Sequence, residues 1–312
     1  MDEKECGIEE LEHMFTNESS KPIRISYSAI KSITKNFYRE IGCGGFGTVY
    51  LGALRNDFMV AVKKLRIISP SQEDLAEKQF LVELKFLKTV KKHKNIVRFL
   101  GYCAYRNRLV MEVEGEDRLV DEPAGMFLCF EYAPNGNVHD YLQGKTHGHE
   151  WSIRYKIIKG ICQGLRHLHQ SQIMHLDLKP ANVLLGAQME PKITDFGVSR
   201  NNITQFTIET NSRMGTLGYM PPEWIDGGKI SFKTDIYSLG IVMIILLRGS
   251  NEIFPENVRI IYLNFLTPVF IIFSIFLDYT VQRRRSHVRT LTPMNTRTQT
   301  LPPMSISEGL SR

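Results

Sequence analysis

Between His175 and Gly197 the chain reads HLDLKPANVLLGAQMEPKITDFG. Asp177 is followed two residues later by Lys179 and five later by Asn182, and a second acid, Asp195, opens a D-F-G triplet after a strand-turn-strand pattern. One carboxylate can hold and deprotonate an attacking hydroxyl, an ammonium can neutralise a migrating phosphoryl group, and an amide oxygen with a second carboxylate can hold Mg²⁺. That order and spacing is the pattern of a phosphoryl-transfer loop. In isolation these residues would also suit an inert surface loop, so the elements that position them decide the matter.

Upstream, IGCGGFGTV places Gly42, Gly44 and Gly47 where backbone N–H groups can approach phosphate oxygens with no Cβ in the way. A dinucleotide-binding turn would open a helix at the third glycine, whereas TVYLGAL is β-branched and aromatic and predicts a strand. MVAVKKL, residues 59–65, predicts the next strand, and Lys63 on it is costly to bury unless paired. A helix is expected over about 72–90, with Phe80, Leu84 and Leu87 at i, i+4 and i+7, and Glu83 beside that stripe is the candidate partner of Lys63. Two further strands, IVRFLGYC and MFLCFEY, flank a connection longer than a tight hairpin needs, read as an exposed insertion with no catalytic job. From Ser152 to Gln170, Ile153, Ile157, Ile161, Leu165 and Leu168 recur at helical intervals and predict a core helix leading into the 175–197 segment. His167 and His169 near its end are expected on the surface, since no Cys, Asp or Glu stands at ligand spacing.

The glycine loop, the V-A-x-K strand, the HLDLKPAN loop and DFG together resemble the protein kinase superfamily. The lead-in KPIRISYSAIKSITKNFYRE resembles that of plant receptor-like kinases and receptor-like cytoplasmic kinases, and the likeness covers roughly residues 21–249. It implies a two-lobed α+β fold with a small β-rich lobe over about 36–133 and a helical lobe over about 134–249, cut short after its central helix. It implies ATP and Mg²⁺, with Gly42, Gly44, Gly47, Val49, Ala61, Lys63, Glu83, Glu131 and Ala133 around the nucleotide, Phe130 behind the adenine, and Asn182 and Asp195 on the metal. Asp177 would act as base and Lys179 on the phosphoryl group; Thr216 would bridge the two, which favours Ser/Thr hydroxyls of protein substrates over Tyr. Asp235, in FKTDIYSLGIVMIILLR, would cap the backbone of the catalytic loop. The sequence departs from the family where Leu176 replaces an arginine, and again past Gly249, where further helices and an arginine partner for Glu223 are expected. The activation segment carries Thr204, Thr207, Thr210 and Ser212, and ends on Pro221-Pro222-Glu223 in place of A-P-E. An ATP-binding scaffold without transfer, a pseudokinase, is the alternative that the shortened lobe leaves open.

Composition bounds the rest. The 312 residues are 43% hydrophobic and 23% charged, a globular balance with material for a sizeable core. The net charge of +6 is unevenly placed: seven acids face Lys4 in residues 1–20, and six arginines face Glu308 in residues 283–312. No basic patch is interleaved with aromatics, which argues against nucleic acid. The five cysteines never stand as CxxC and read as reduced thiols. MDEKECGIEE lacks an apolar region, so a cytoplasmic start is expected, and residues 1–20 are read as loosely ordered. Residues 250–312 form a divergent tail with a basic, disordered end. Within it IIYLNFLTPVFIIFSIFL, 260–277, is either a membrane anchor or an apolar cover for the large lobe. An upstream receptor is an expected partner.

Overall fold

In the computed structural model, residues 3–249 are described apart from 18, 46, 67–72, 106–107, 114–115, 122–124, 145–149, 202–207 and 211–214, and apart from the side chains of 3–6, 73–76, 79, 108–113, 116–121, 201 and 209. These residues belong to one compact unit, Met1–Pro255.

The small lobe is built on a six-stranded sheet of order β1-β5-β8-β4-β3-β2. Its strands are β1 (Ile23–Arg24), β2 (Glu40–Gly44), β3 (Gly47–Ala53), β4 (Met59–Leu65), β5 (Phe99–Tyr105) and β8 (Gly125–Glu131). The β-branched and aromatic runs that predicted strands form β3, β4, β5 and β8, since such side chains pack well on a pleated surface. Register sorts their side chains. Val49 lies opposite Lys63, Ala61 opposite Phe130, and Lys63 opposite Leu128, so all five share one face of the sheet. The other face carries Val60, Val62, Phe127 and Cys129, which join a buried core.

That second face is covered by helices that include a correction to the expectation for residues 1–20. Glu3–Thr16 is a helix, α1, and Tyr27–Ile33 is α2, N-capped by Ser26, whose hydroxyl accepts from Ala29 N–H. The acids obscured an i, i+3, i+6 stripe: Ile8, Leu11 and Met14 are buried against Ile25, Ile30 and Leu100, while Glu9 and Glu10 stay exposed. Burying Leu11 and Met14 contributes about 1.5–3 kcal/mol each, enough to order a short helix that charge composition alone would leave loose. Phe15 stacks on Phe58 at 4.7 Å, and Glu12 Oε1 accepts the Arg55 N–H at 2.7 Å.

α3 (Glu73–Thr89) matches the helix expected over 72–90. The long connection before β8 folds as a hairpin of β6 (Arg108–Val113) and β7 (Glu116–Asp121), a two-stranded sheet of its own.

The large lobe contains α4 (Val138–Gln143), α5 (Trp151–Gln170), β9 (Ile173–Met174), a single 3-10 turn (Pro180–Asn182), β10 (Val183–Leu185) and β11 (Pro191–Ile193). β12 (Arg200–Asn201) pairs with β9, and β13 (Ile208–Glu209) pairs with β14 (Lys229–Ile230) across α6 (Pro222–Gly227). α7 (Phe232–Arg248) opens on a capping box between Ser231 and Thr234 and ends at Gly249, whose φ of 74° suits glycine. Among the described residues no helix is long and apolar enough to cross a membrane; segment 260–277 lies outside them.

Candidate active site

α7 is buried almost throughout, and Asp235 in its first turn has no exposure. Its Oδ2 accepts the His175 N–H at 2.8 Å and its Oδ1 the Leu176 N–H at 2.7 Å, so one buried carboxylate satisfies the donors of a tight bend in which Leu176 has φ 68°. The same Oδ2 meets His169 Nε2 at 2.8 Å. His169 is therefore a structural partner of Asp235, not the surface residue expected from its place at the helix end. His167 is likewise engaged, with its Nε2 3.1 Å from Lys91 O. Neither histidine belongs to a group of three or more His, Cys, Asp or Glu placed to hold a metal among the described residues.

The bend delivers Asp177, which is buried, into a closed network. Lys179 Nζ donates to Asp177 Oδ2 at 2.8 Å and to Thr216 Oγ1 at 2.7 Å, and Thr216 Oγ1 donates to Asp177 Oδ1 at 2.6 Å. Asn182 Nδ2 donates to Asp177 O at 2.8 Å and to Asp177 Oδ2 at 2.9 Å. Asn182 therefore commits its amide nitrogen to the base and keeps its oxygen as an acceptor. Burial, then the Asp177 charge, push the Tyr219 phenol nearby up to about 12, so it stays neutral.

The small lobe contributes Lys63. Its Nζ lies 3.0 Å from Glu83 Oε1 and 3.2 Å from Asp195 Oδ1. Glu83 is 2% exposed, on the inward side of α3. Burial works against the Lys63 charge, but the carboxylates of Glu83 and Asp195 outweigh it and hold the ammonium above the ordinary lysine value. Burial pushes the Glu83 carboxyl up, Lys63 offsets only part of this, and the Asp195 charge adds to the rise; Glu83 Oε2 has no hydrogen-bond partner among the described residues. Asp195 has φ 66°, an uncommon left-handed conformation for a side chain, which sets it beside Lys63 while Phe196 packs inward. Phe196 stacks on Phe86 of α3 and meets His175 at a tilt, each with ring centroids 5.3 Å apart.

Gly42, Gly44 and Gly47 lie on β2 and β3. A Cβ on Gly44 or Gly45 would meet nothing within 4 Å, so this part of the loop faces open space, as a phosphate cradle requires. Gly47 is fixed for another reason: at φ 147° a Cβ there would stand 2.1 Å from Lys64 O. Val49, Ala61, Lys63 and Phe130 share the face noted above, and the Ala133 N–H takes no acceptor among the described residues. Asn182 Oδ1 and the second oxygen of Asp195 are hard donors suited to Mg²⁺. The residues present thus fit a magnesium nucleotide.

Glu131, whose backbone is expected at the adenine edge, has its side chain engaged within the protein. Its side chain accepts from Lys192 Nζ at 3.0 and 3.1 Å and from Arg98 N–H at 2.7 Å, and its own N–H donates to Arg98 O at 3.0 Å. Lys192 was invisible to motif reading because its partner lies 61 residues away. Leu176 is buried among Met174, Val198, Met220, Trp224 and Ile230, an apolar cluster in place of a cation. Thr210 is described; Thr204, Thr207 and Ser212 lie outside the described residues. Glu223 is exposed in the first turn of α6 and makes no ion pair among the described residues.

The family model described as protein kinase domain matches residues 36–299, which runs beyond Gly249, where the motifs end. The chain is 36% identical over 242 residues to the putative cysteine-rich receptor-like protein kinase 16 of Arabidopsis thaliana, covering 75% of this chain and 33% of that one. It is 38% identical over 242 residues to cysteine-rich receptor-like protein kinase 21, at 75% and 32%, and 37% identical over 242 residues to serine/threonine-protein kinase CDG1, at 74% and 51%, both of the same plant. The chain spans about a third of the length of the first two relatives and about half of the third.

Proposed function

The chain belongs to the protein kinase domain family, and from that premise we propose that it transfers the γ-phosphoryl group of MgATP to Ser or Thr hydroxyls of protein substrates. The observation that carries the reading is the network in which an aliphatic hydroxyl, that of Thr216, is held between the Asp177 carboxylate and the Lys179 ammonium. A substrate hydroxyl of the same kind, placed at Asp177, would be oriented and would pass its proton to that carboxylate as the new bond forms. Lys179 neutralises charge on the migrating group, and Lys63, aimed by Glu83, steadies the nucleotide phosphates. Bound MgATP supplies the electrophilic phosphorus, the leaving diphosphate and the cation that offsets its charge. Asn182 and Asp195 would hold that cation.

Likeness to relatives named receptor-like kinases supports a place in receptor-linked signalling, with the catalytic domain on the cytoplasmic side where ATP is available. Segment 260–277 as a membrane contact belongs to the same proposal; carbonate extraction of the full chain against a version ending at Gly249 tests it, and solubility of both removes it.

Labelled ATP, Mg²⁺ and a degenerate Ser/Thr/Tyr peptide mixture, followed by phosphoamino-acid analysis, test the activity. Phosphoserine and phosphothreonine that vanish in Asp177→Asn are the expected result. Magnesium-dependent nucleotide binding without transfer would make the chain a scaffold instead.

A further inference from the structure

The loop between α3 and β5 is tied to the large lobe through Asn95. Its side chain is buried, Nδ2 donates to Pro191 O at 2.9 Å, and the Asn95 main-chain oxygen accepts the Ile193 N–H at 3.0 Å. Val97 N–H donates to Ile193 O at 2.9 Å. Two glycines of α5 make room for this contact: a Cβ on Gly164 would stand 2.7 Å from Asn95 O, and one on Gly160 would stand 2.7 Å from Asn95 Nδ2. The Asn95 N–H is in turn satisfied by an imidazole nitrogen, His93 Nδ1, at 3.1 Å.

This last bond needs a neutral ring. Nδ1 accepts, so its lone pair must be free and the neutral ring carries its proton on Nε2. A second proton would go onto Nδ1 and set two donors against each other. The ring is also stacked on His167 of α5, centroids 4.8 Å apart, and His167 Nε2 must donate to Lys91 O because a carbonyl only accepts. The groups acting on His93 are His167 from α5 and Lys94 from its own loop, and Lys192 from β11 reaches the same loop at Lys94 O. Burial first, then His167 and Lys94, hold the His93 ring below the ordinary histidine value of 6.5.

We propose that His93 is a positioning residue whose protonation unlatches residues 91–97 from the large lobe and frees the C-terminal end of α3, and with it Glu83, to move off Lys63. The latch is closed at neutral pH and opens as the pH falls from 6.5 through the lowered value of His93. A base that resists protonation in the folded state contributes stability above its unfolded value, and that stability is lost as the pH falls through the folded one.

The test is hydrogen exchange of the full chain at pH 7.5 and 5.5, corrected for intrinsic rates, in wild type and His93→Asn. The asparagine oxygen can accept the Asn95 N–H and cannot take up a proton. In wild type, protection over residues 84–97 should fall by about fivefold relative to β3 and β4 on acidification, the net worth of one hydrogen bond, and His93→Asn should abolish that fall. Equal loss in both proteins, or no loss in wild type, overturns the proposal. Should His93→Asn not fold, the NMR titration of the wild-type His93 ring decides alone: a midpoint below 6.5 supports the latch, and one at or above 6.5 overturns it. Neither readout depends on phosphoryl transfer, so the proposal stands or falls separately from the assigned activity.

Discussion

The two sides of the site are held by different physics. On the large-lobe side, Asp235 clamps two backbone N–H groups and a histidine, and Asp177 sits in a ring of bonds in which lysine, threonine and asparagine all point at it. On the small-lobe side, one ammonium spans two carboxylates, one of them buried with an oxygen unpaired among the described residues, on a helix whose far end leads into the loop held by the His93–Asn95 bond. The first arrangement is pre-organised. The second is the part that can move, because a buried ion pair yields little net stability and is lost when its helix shifts. A phosphoryl-transfer site divided in this way keeps its chemistry rigid and makes the placement of Lys63 adjustable.

The largest expected effect tests the rigid side. Asp177→Asn should lower turnover by about 10³-fold, within the range for a general base, with the thermal midpoint almost unchanged, since the Asn oxygen can still accept from Lys179 and Asn182 while its amide nitrogen donates to the Thr216 hydroxyl. A small loss would mean that the network is structural only. Asp235→Ala should next cost about 3–5 kcal/mol in urea unfolding, because the His175 and Leu176 N–H groups are left buried without an acceptor at about 1–3 kcal/mol each.

Lys63→Met sharpens the contrast, since it should abolish measurable transfer and yet destabilise less than Asp235→Ala. The reason is that Glu83 can take up a proton. Without Lys63, only burial and Asp195 act on the Glu83 carboxyl, and both raise it. A carboxyl raised in the folded state contributes stability below its unfolded value and loses it as pH rises through the folded one, so Lys63→Met should gain thermal stability between pH 7.5 and 5.5. A midpoint that falls over that interval would contradict the picture of an unpaired buried glutamate.

Two smaller effects follow at the activation segment. Thr216→Val should lower turnover by about tenfold, the worth of one charge-assisted bond, and Thr216→Ser should restore it. Replacing Thr204, Thr207, Thr210 and Ser212 together by alanine should change turnover by less than about tenfold, because the Leu176 side chain sits in an apolar cluster that offers a phosphate no charge to pair with. A larger loss would point to another cation, Arg200 or Arg213, as the ordering partner.

Much of the site was legible in the residues themselves. Asp177, Lys179, Asn182 and Asp195 stand at local spacings that backbone geometry converts directly into a constellation, and Gly47 sits where no Cβ fits. The pairing of Lys63 with Glu83 could be expected because strand and helix periodicity put both on faces turned to the same cleft. Where composition was read in place of periodicity, the reading failed: α1 looks acidic and loose, yet three apolar residues on one stripe bind it to the sheet.

What only the tertiary structure decided are the contacts between distant residues that carry no motif. Lys192 reaches Glu131 from 61 residues away, and His169 is drawn to Asp235 from 66 residues away, because folding brings a buried or half-buried charge next to whatever donor the packing allows. His93 has meaning only beside Asn95 and His167, since the same side chain at a solvent-facing loop would titrate with no consequence for the fold. Residue types and spacing along the chain determine which chemistry is possible. Packing decides which polar groups lose water, and so which of them must find partners or govern the fold by changing charge.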